Sequence, residues 1–272
     1  MAIEYAAKYS GKVDERFAIA SMTAQAVNND YEFTGVDTVK VYSIPTVALN
    51  DYELTGLSRY GTPTDLQNEV QTLVLTQDKA FTFVIDRKSL DDTQGAMEAG
   101  RALRRQIDEV IIPTVDKYRL QVMADGAGKT GTGTITKTNA YAALLDGTGT
   151  LLEAGVPMTG RIAYVTPAFY AAIKQDSSFI RSGDAAQEML IRGSVGVVDG
   201  VNIIPVPASY LPSGTNFLLT HKVATVGPVK LESYKIHDNP PGINGNLVEG
   251  RIRYDAFVLK NKAAAVYLHK TA

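Results

Sequence analysis

The stretch from Ala48 to Asn68 sets the strongest limit on what this chain can fold into. Asn50, Asp51, Gly56, Ser58, Gly61, Pro63 and Asp65 crowd it with turn formers, and its few apolar side chains, Leu54, Leu57 and Tyr60, are expected to be exposed. Compact monomers seldom carry so long an excursion without a core of its own. Strand-like runs flank it. Before it, Val36, Val39, Val41, Tyr42 and Ile44 give a β-branched and aromatic segment that ends at Pro45. After it come Val70 to Leu75, then an alternation of Phe81, Phe83 and Ile85 with Thr82 and Val84. Residues 34–86 together read as an extended β-hairpin with a floppy tip.

The pattern then changes period. Ala96, Ala99, Leu103, Ile107, Val110, Ile111, Val115, Tyr118 and Val122 recur mostly at threes and fours, and Ser89 with Asp92 has the spacing of a capping box. A helix from Leu90 to Ala124 would span about 50 Å at ~1.5 Å per residue. Pro113 interrupts it, because proline removes a backbone donor and clashes with the preceding turn. The expectation is a kink or break between Glu109 and Pro113.

Residues 1–33 are polar and alanine-rich with scattered apolar positions (Phe17, Ile19, Met22, Val27), and read as an arm that needs something to pack against. Gly126 to Thr134 reads as a glycine and threonine linker at a domain boundary. Beyond it the texture is mixed. Helices are expected over Asn139–Ala154, Ala168–Lys174 and Ala185–Ile191. Strands are expected over Arg161–Val165, Val195–Val206, Asn216–Leu219 and Val229–Ile236. After the Pro240, Pro241, Gly242 turn, Ile252, Tyr254, Ala256 and Val258 alternate with their neighbours, and Ala265–Leu268 closes the chain as a short strand. The class is α+β.

Composition excludes several functions. Lys+Arg of 27 against Asp+Glu of 29 leaves a formal charge of -2, so there is no strong field for nucleic acid or anionic lipid. With Cys 0 there is no disulfide, thiolate nucleophile or cysteine-held zinc, which fits a reducing compartment. The first residues lack the apolar core of a signal peptide, and no apolar run approaches the ~20 residues of a membrane-crossing helix.

Catalytic motifs fail on spacing. Gly128, Lys129 and Thr130 suggest a phosphate loop, but Met123 stands where its first glycine belongs, and Gly131, Thr132 and Gly133 follow where a helix should open. Arg192 occupies the first glycine position of a nucleophile elbow around Ser194. His221, His237 and His269 are far apart and have no metal-ligand spacing. Asp91 and Asp92 suit a helix N-terminus better than acid–base chemistry. Arg101, Arg104 and Arg105, with Arg87 and Lys88, could touch phosphate, but they read better as a solvated or subunit-contacting face in which Arg105 pairs with Glu109. No catalytic residue, cofactor or metal site is expected.

The order of arm, β excursion, long helix, compact α+β body and closing strands resembles the major capsid protein of tailed bacteriophages with the Hong Kong-type fold. The run Arg161, Tyr164, Thr166, Pro167, Phe169, Tyr170 also looks like the axial domain of that family. The resemblance implies an N-terminal arm (1–33), an extended loop lying over a neighbour (34–86), a peripheral domain with a spine helix (87–137 and 226–272) and an axial domain (138–225). It implies self-assembly into hexamers and pentamers of an icosahedral head in the virion, built in a bacterial cytoplasm around non-specifically contacted double-stranded DNA. A separate scaffolding protein, a portal and an optional decoration protein are the implied partners, with no membrane. Candidate subunit contacts are Phe17, Leu54, Leu57, Tyr60, Arg101 and Arg105. The loop tip carries no lysine, so no autocatalytic crosslink is expected. An encapsulin-like cargo shell is the rival within the same fold. A soluble α+β enzyme is the rival from another class, opposed by the lack of a convergent catalytic set.

Overall fold

The computed structural model describes residues 21–28, 31, 38–43, 46–63, 65, 69–88, 99–176 and 196–272. Contacts divide the chain into a small unit, Glu32–Val74, and a large one formed by Met1–Tyr31 with Leu75–Ala272. In the small unit, β1 (Thr38–Ser43) and β2 (Glu69–Val74) pair antiparallel, from Thr38↔Val74 to Ser43↔Glu69. Val41 and Leu73 are its buried side chains. The hairpin is therefore shorter than the alternation suggested. The next strand, β3 (Gln77–Asp86), belongs to the large unit, where it pairs along its whole length with a strand near the C-terminus.

The helix follows as α1 (Ala99–Gln106), a π-helical turn (Ile107–Ile111) and α2 (Ile112–Asp125), together 27 residues. The expected disturbance is present as a π turn. Ile112 donates its N–H to the Ile107 carbonyl, five residues back, and Pro113 falls in the first turn of α2, where its missing donor costs least. The extra residue rotates every later side chain by about 100°. Leu103, Ile107 and Ile111 are buried as their spacing predicts, but downstream the buried face is Ile112, Val115, Asp116, Arg119, Leu120 and Met123. Val110, expected on the apolar stripe, is 48% exposed.

The expected flexible linker is a strand. β4 (Lys129–Thr132) runs parallel to the final strand at one edge of a six-stranded sheet. Its one glycine serves packing, since a Cβ on Gly131 would collide with the Tyr267 hydroxyl. Next come α3 (Ala140–Glu153), β5 (Arg161–Val165) and α4 (Pro167–Gln175), all close to expectation, with the Thr166 hydroxyl accepting from Phe169 N–H to cap α4. The expected helix Ala185–Ile191 lies outside the described residues. Instead of one strand over 195–206, β6 (Val197–Val198) and β7 (Val201–Pro205) form a tight hairpin, turned by Asp199 and Gly200 at positive φ.

β8 (Thr215–His221), β9 (Thr225–Val226), β10 (Val229–Asp238), β11 (Gly245–Tyr254), β12 (Phe257–Val258) and β13 (Val266–Lys270) complete the chain. The large sheet has the order β4-β13-β8-β5-β7-β6, and β10-β11-β3 form an antiparallel sheet. β4 and β13, both assigned from sequence to the peripheral segments, thus join the sheet of the 138–225 segment. Every residue of the central strand β5 is buried, as a strand covered on both faces must be. Leu144, Leu151, Phe169 and Ile173 from the two helices pack against this sheet with Phe217, Leu218 and Leu219. A second core lies along the first half of the long helix, where Leu103, Ile107, Ile111 and Val115 meet Tyr234, Ile252 and Tyr254. No described helix is long and apolar enough to cross a membrane.

Candidate assembly surface

The hairpin tip is ordered by its own contacts. Glu53 N–H donates to Arg59 O at 3.1 Å, Gly61 N–H to Ser58 O at 3.0 Å, and Arg59 Nε to Gly56 O at 3.3 Å. Tyr52 and Tyr60 meet edge to face with centroids 5.1 Å apart. Gly56 and Gly61 take positive φ to make the turns. The tip is held in shape and displays apolar side chains: Leu54 is 81% exposed, Leu57 106% and Tyr60 84%. Leu49 at 101% and Val47 at 56% join them, and sequence reasoning missed both, although they lie beside the same turn formers.

Phe17 lies outside the described residues. Arg101 and Arg105 are exposed on α1. Arg105 forms the expected pair with Glu109 at 2.9 Å, and this raises the guanidinium pKa through hydrogen bonding first and charge second. The pair is solvent-facing, so it contributes little to stability. Arg101 and Arg105 belong to the large unit, and Leu54, Leu57 and Tyr60 to the small one.

A second construction, unforeseen in the sequence, surrounds the end of the arm. Ser21 Oγ and Thr23 Oγ1 each donate to Asp116 Oδ1 at 2.5 Å, and Met22 N–H donates to Asp116 Oδ2 at 2.9 Å. One turn along α2, Arg119 Nη1 donates to Thr23 Oγ1 at 3.1 Å and Nη2 to the Gly227 carbonyl. The Tyr164 hydroxyl donates to Met22 O at 3.0 Å. Burial pulls the Arg119 guanidinium down to about 10 against the opposing pull of Asp116, and burial pushes the Tyr164 phenol up. A charged pair three residues apart amid an apolar stripe was the available signal, but without the π turn the two would not have been placed on the buried face.

A third carboxylate, Asp255, accepts from Thr76 N–H at 2.7 Å, Thr76 Oγ1 at 2.8 Å and Tyr118 OH at 2.9 Å. It ties the chain entering β3 to α2 and to the end of β11. Among the described residues no group of His, Asp or Glu could hold a metal. His221 and His269 are buried against backbone and aromatic neighbours, and His237 faces Glu249 on the surface.

A family model described as phage capsid protein matches residues 69–268. The chain belongs to the phage capsid protein family. It is a structural protein of the virion and not an enzyme. Solved structures share the fold of this capsid protein. A chain of Mycobacterium phage Che8 matches with a TM-score of 0.75 at 20% identity, over 92% of this chain and 90% of that one. The mature capsid of bacteriophage PhiM1 gives 0.67 at 12% identity, over 88% and 83%. A virus-like particle from Pyrococcus furiosus gives 0.56 at 11% identity, over 98% and 100%. No curated protein matches the sequence. The matched span of the family model begins at β2, so the arm and hairpin tip of this capsid protein lie outside it.

Proposed function

We propose that copies of this chain associate into hexamers and pentamers that close an icosahedral head around double-stranded DNA. The supporting observation is the shaped, apolar hairpin tip. A lone subunit leaves Leu49, Leu54 and Leu57 in water, and burying each is worth about 1.5–3 kcal/mol. In this reading the unit Glu32–Val74 is the extended loop that contacts a neighbour, the β10-β11-β3 sheet with the long helix is the peripheral part, and the six-stranded sheet is the axial part. Phe17, Arg101 and Arg105 are proposed as further contacts. Shell contacts of the obligate kind bury roughly 2,000 Å² or more, which suits an apolar loop better than the formal charge of -2. DNA is then touched locally and without sequence preference. A separate scaffolding protein, a portal and a decoration protein are the proposed partners, with assembly in the bacterial cytoplasm.

Negative-stain electron microscopy of the purified chain, alone and coexpressed with its neighbouring genes, tests the reading. Closed shells or capsomer rings are expected. A uniform monomer under both conditions would overturn it. Deleting Ala48 to Asn68 should leave a folded body and no shells.

A further inference from the structure

The segment Ser21–Asn28 is built into the body more firmly than an arm needs to be. Ser21 and Thr23 are buried, Ala26 and Val27 enter the main core, and Asn28 N–H donates to Thr225 O at 2.7 Å beside a parallel bridge to Val226. Between these points Ala24–Ala26 make a single 3-10 turn with Ala26 N–H on Thr23 O. This short strap touches α2, the six-stranded sheet through Tyr164, and the β8–β10 connection through Thr225 and Val226.

At the centre of it sits Asp116. Its two oxygens receive three donors from consecutive residues of the strap, and Arg119 holds Thr23 from the next helical turn. A buried carboxylate is costly to leave without donors, and the strap supplies them. The strap brings little apolar surface of its own: Ala26 and Val27 reach the core, and Met22 is 42% exposed.

We infer that Asp116 is a positioning residue for assembly: it clamps Ser21–Thr23 to the subunit's own long helix and so fixes where the chain enters the body at Ser21. The consequence for assembly rests on the shell reading above; the clamp itself does not. Two charge-assisted bonds and a backbone bond are lost or weakened when the carboxylate is replaced, enough to speed opening of the strap by about 100-fold or more.

The test compares the full chain with Asp116→Asn by hydrogen exchange and by negative-stain microscopy in the presence of its coexpressed neighbours. Expected is exchange of the amides of residues 22–28 at least about 100-fold faster, unchanged protection in β5 and β8, and loss of regular shells where the unsubstituted chain forms them. Unchanged exchange in the strap overturns the clamp. Fast exchange with normal shells overturns the positioning role. If the unsubstituted chain forms no shells, the assembly reading fails separately, and the exchange data alone decide the clamp. Should Asp116→Asn not fold, Ser21→Ala with Thr23→Val removes the strap's side-chain donors while keeping the helix intact, and the same outcomes apply.

Discussion

Arg161 shows how a single side chain can hold a helix end inside this protein. Its Nε donates to Pro157 O at 2.9 Å, Nη1 to Thr148 O at 2.9 Å and Nη2 to Val156 O at 2.7 Å, so one guanidinium satisfies three carbonyls around the end of α3. Replacing it with alanine strands those carbonyls in a buried site, and we expect a loss of about 3–5 kcal/mol in urea unfolding of the unassembled subunit. Arg161→Lys should recover only part, because an ammonium cannot match the planar fork. The histidines lead to a pH prediction. Burial lowers the pKa of both His221 and His269 below the ordinary histidine value of 6.5, with the Thr159 carbonyl partly opposing this for His221. The unfolded chain therefore takes up protons that the folded one resists. Their contribution to stability is whole above 6.5 and is lost as pH falls below it, down toward the folded values. The unfolding midpoint should drop on going from about pH 7 to about pH 5, and His269→Asn should flatten that drop. Sequence marked these histidines only as structural; their burial depends on β8 and β13 becoming neighbours, which residue spacing does not encode.

At the level of elements, what could be read in advance was whatever depends on nearby residues. The β-branched and aromatic run of β1, the strand run of β2, the two-residue alternation of β3 and the run of α3 all carry their signal within a dozen positions. Pairing does not. β3 was grouped with the strand just before it, whereas its partner is β11, register Gln77↔Tyr254 to Asp86↔Gly245. Gly131 of β4 reads as flexibility in the sequence because its reason, the Tyr267 ring of the final strand, lies at the other end of the chain. The π turn belongs between these cases: Pro113 announced a disturbance, but rotation of the buried face follows only from the kind of disturbance. It yields a sharp prediction. Deleting Val110 should restore a regular helix and turn α2 by about 100°, taking Asp116, Arg119 and Leu120 off the core face, so that the protein becomes insoluble. Val110→Ala, at a position 48% exposed, should change the unfolding free energy by less than about 1 kcal/mol. Equal behaviour of the two variants in solubility and denaturation assays would show that the π turn does not set the face.

For the whole molecule, the decisive asymmetry is between a body that buries its apolar side chains in cores and a hairpin that displays them. Such a chain gains by associating, and the source of that gain can be measured. Serine at Leu49, Leu54 and Leu57 together removes side chains that contribute nothing to the cores, so the subunit should unfold at the same urea concentration as before. If the tip is buried between copies, each leucine forfeits about 1.5–3 kcal/mol per subunit, and the concentration needed for assembly should rise by several orders of magnitude. Salt separates this from an electrostatic mechanism. Contacts resting on exposed ion pairs between subunits weaken as ionic strength rises, whereas apolar burial strengthens in sulfate. Light scattering across a sulfate series should therefore show assembly of the unsubstituted chain promoted by salt and the serine variant poorly rescued. Assembly of the variant at the original concentration would mean that the tip stays in water within the shell, and that the contacts closing it must be sought on the body.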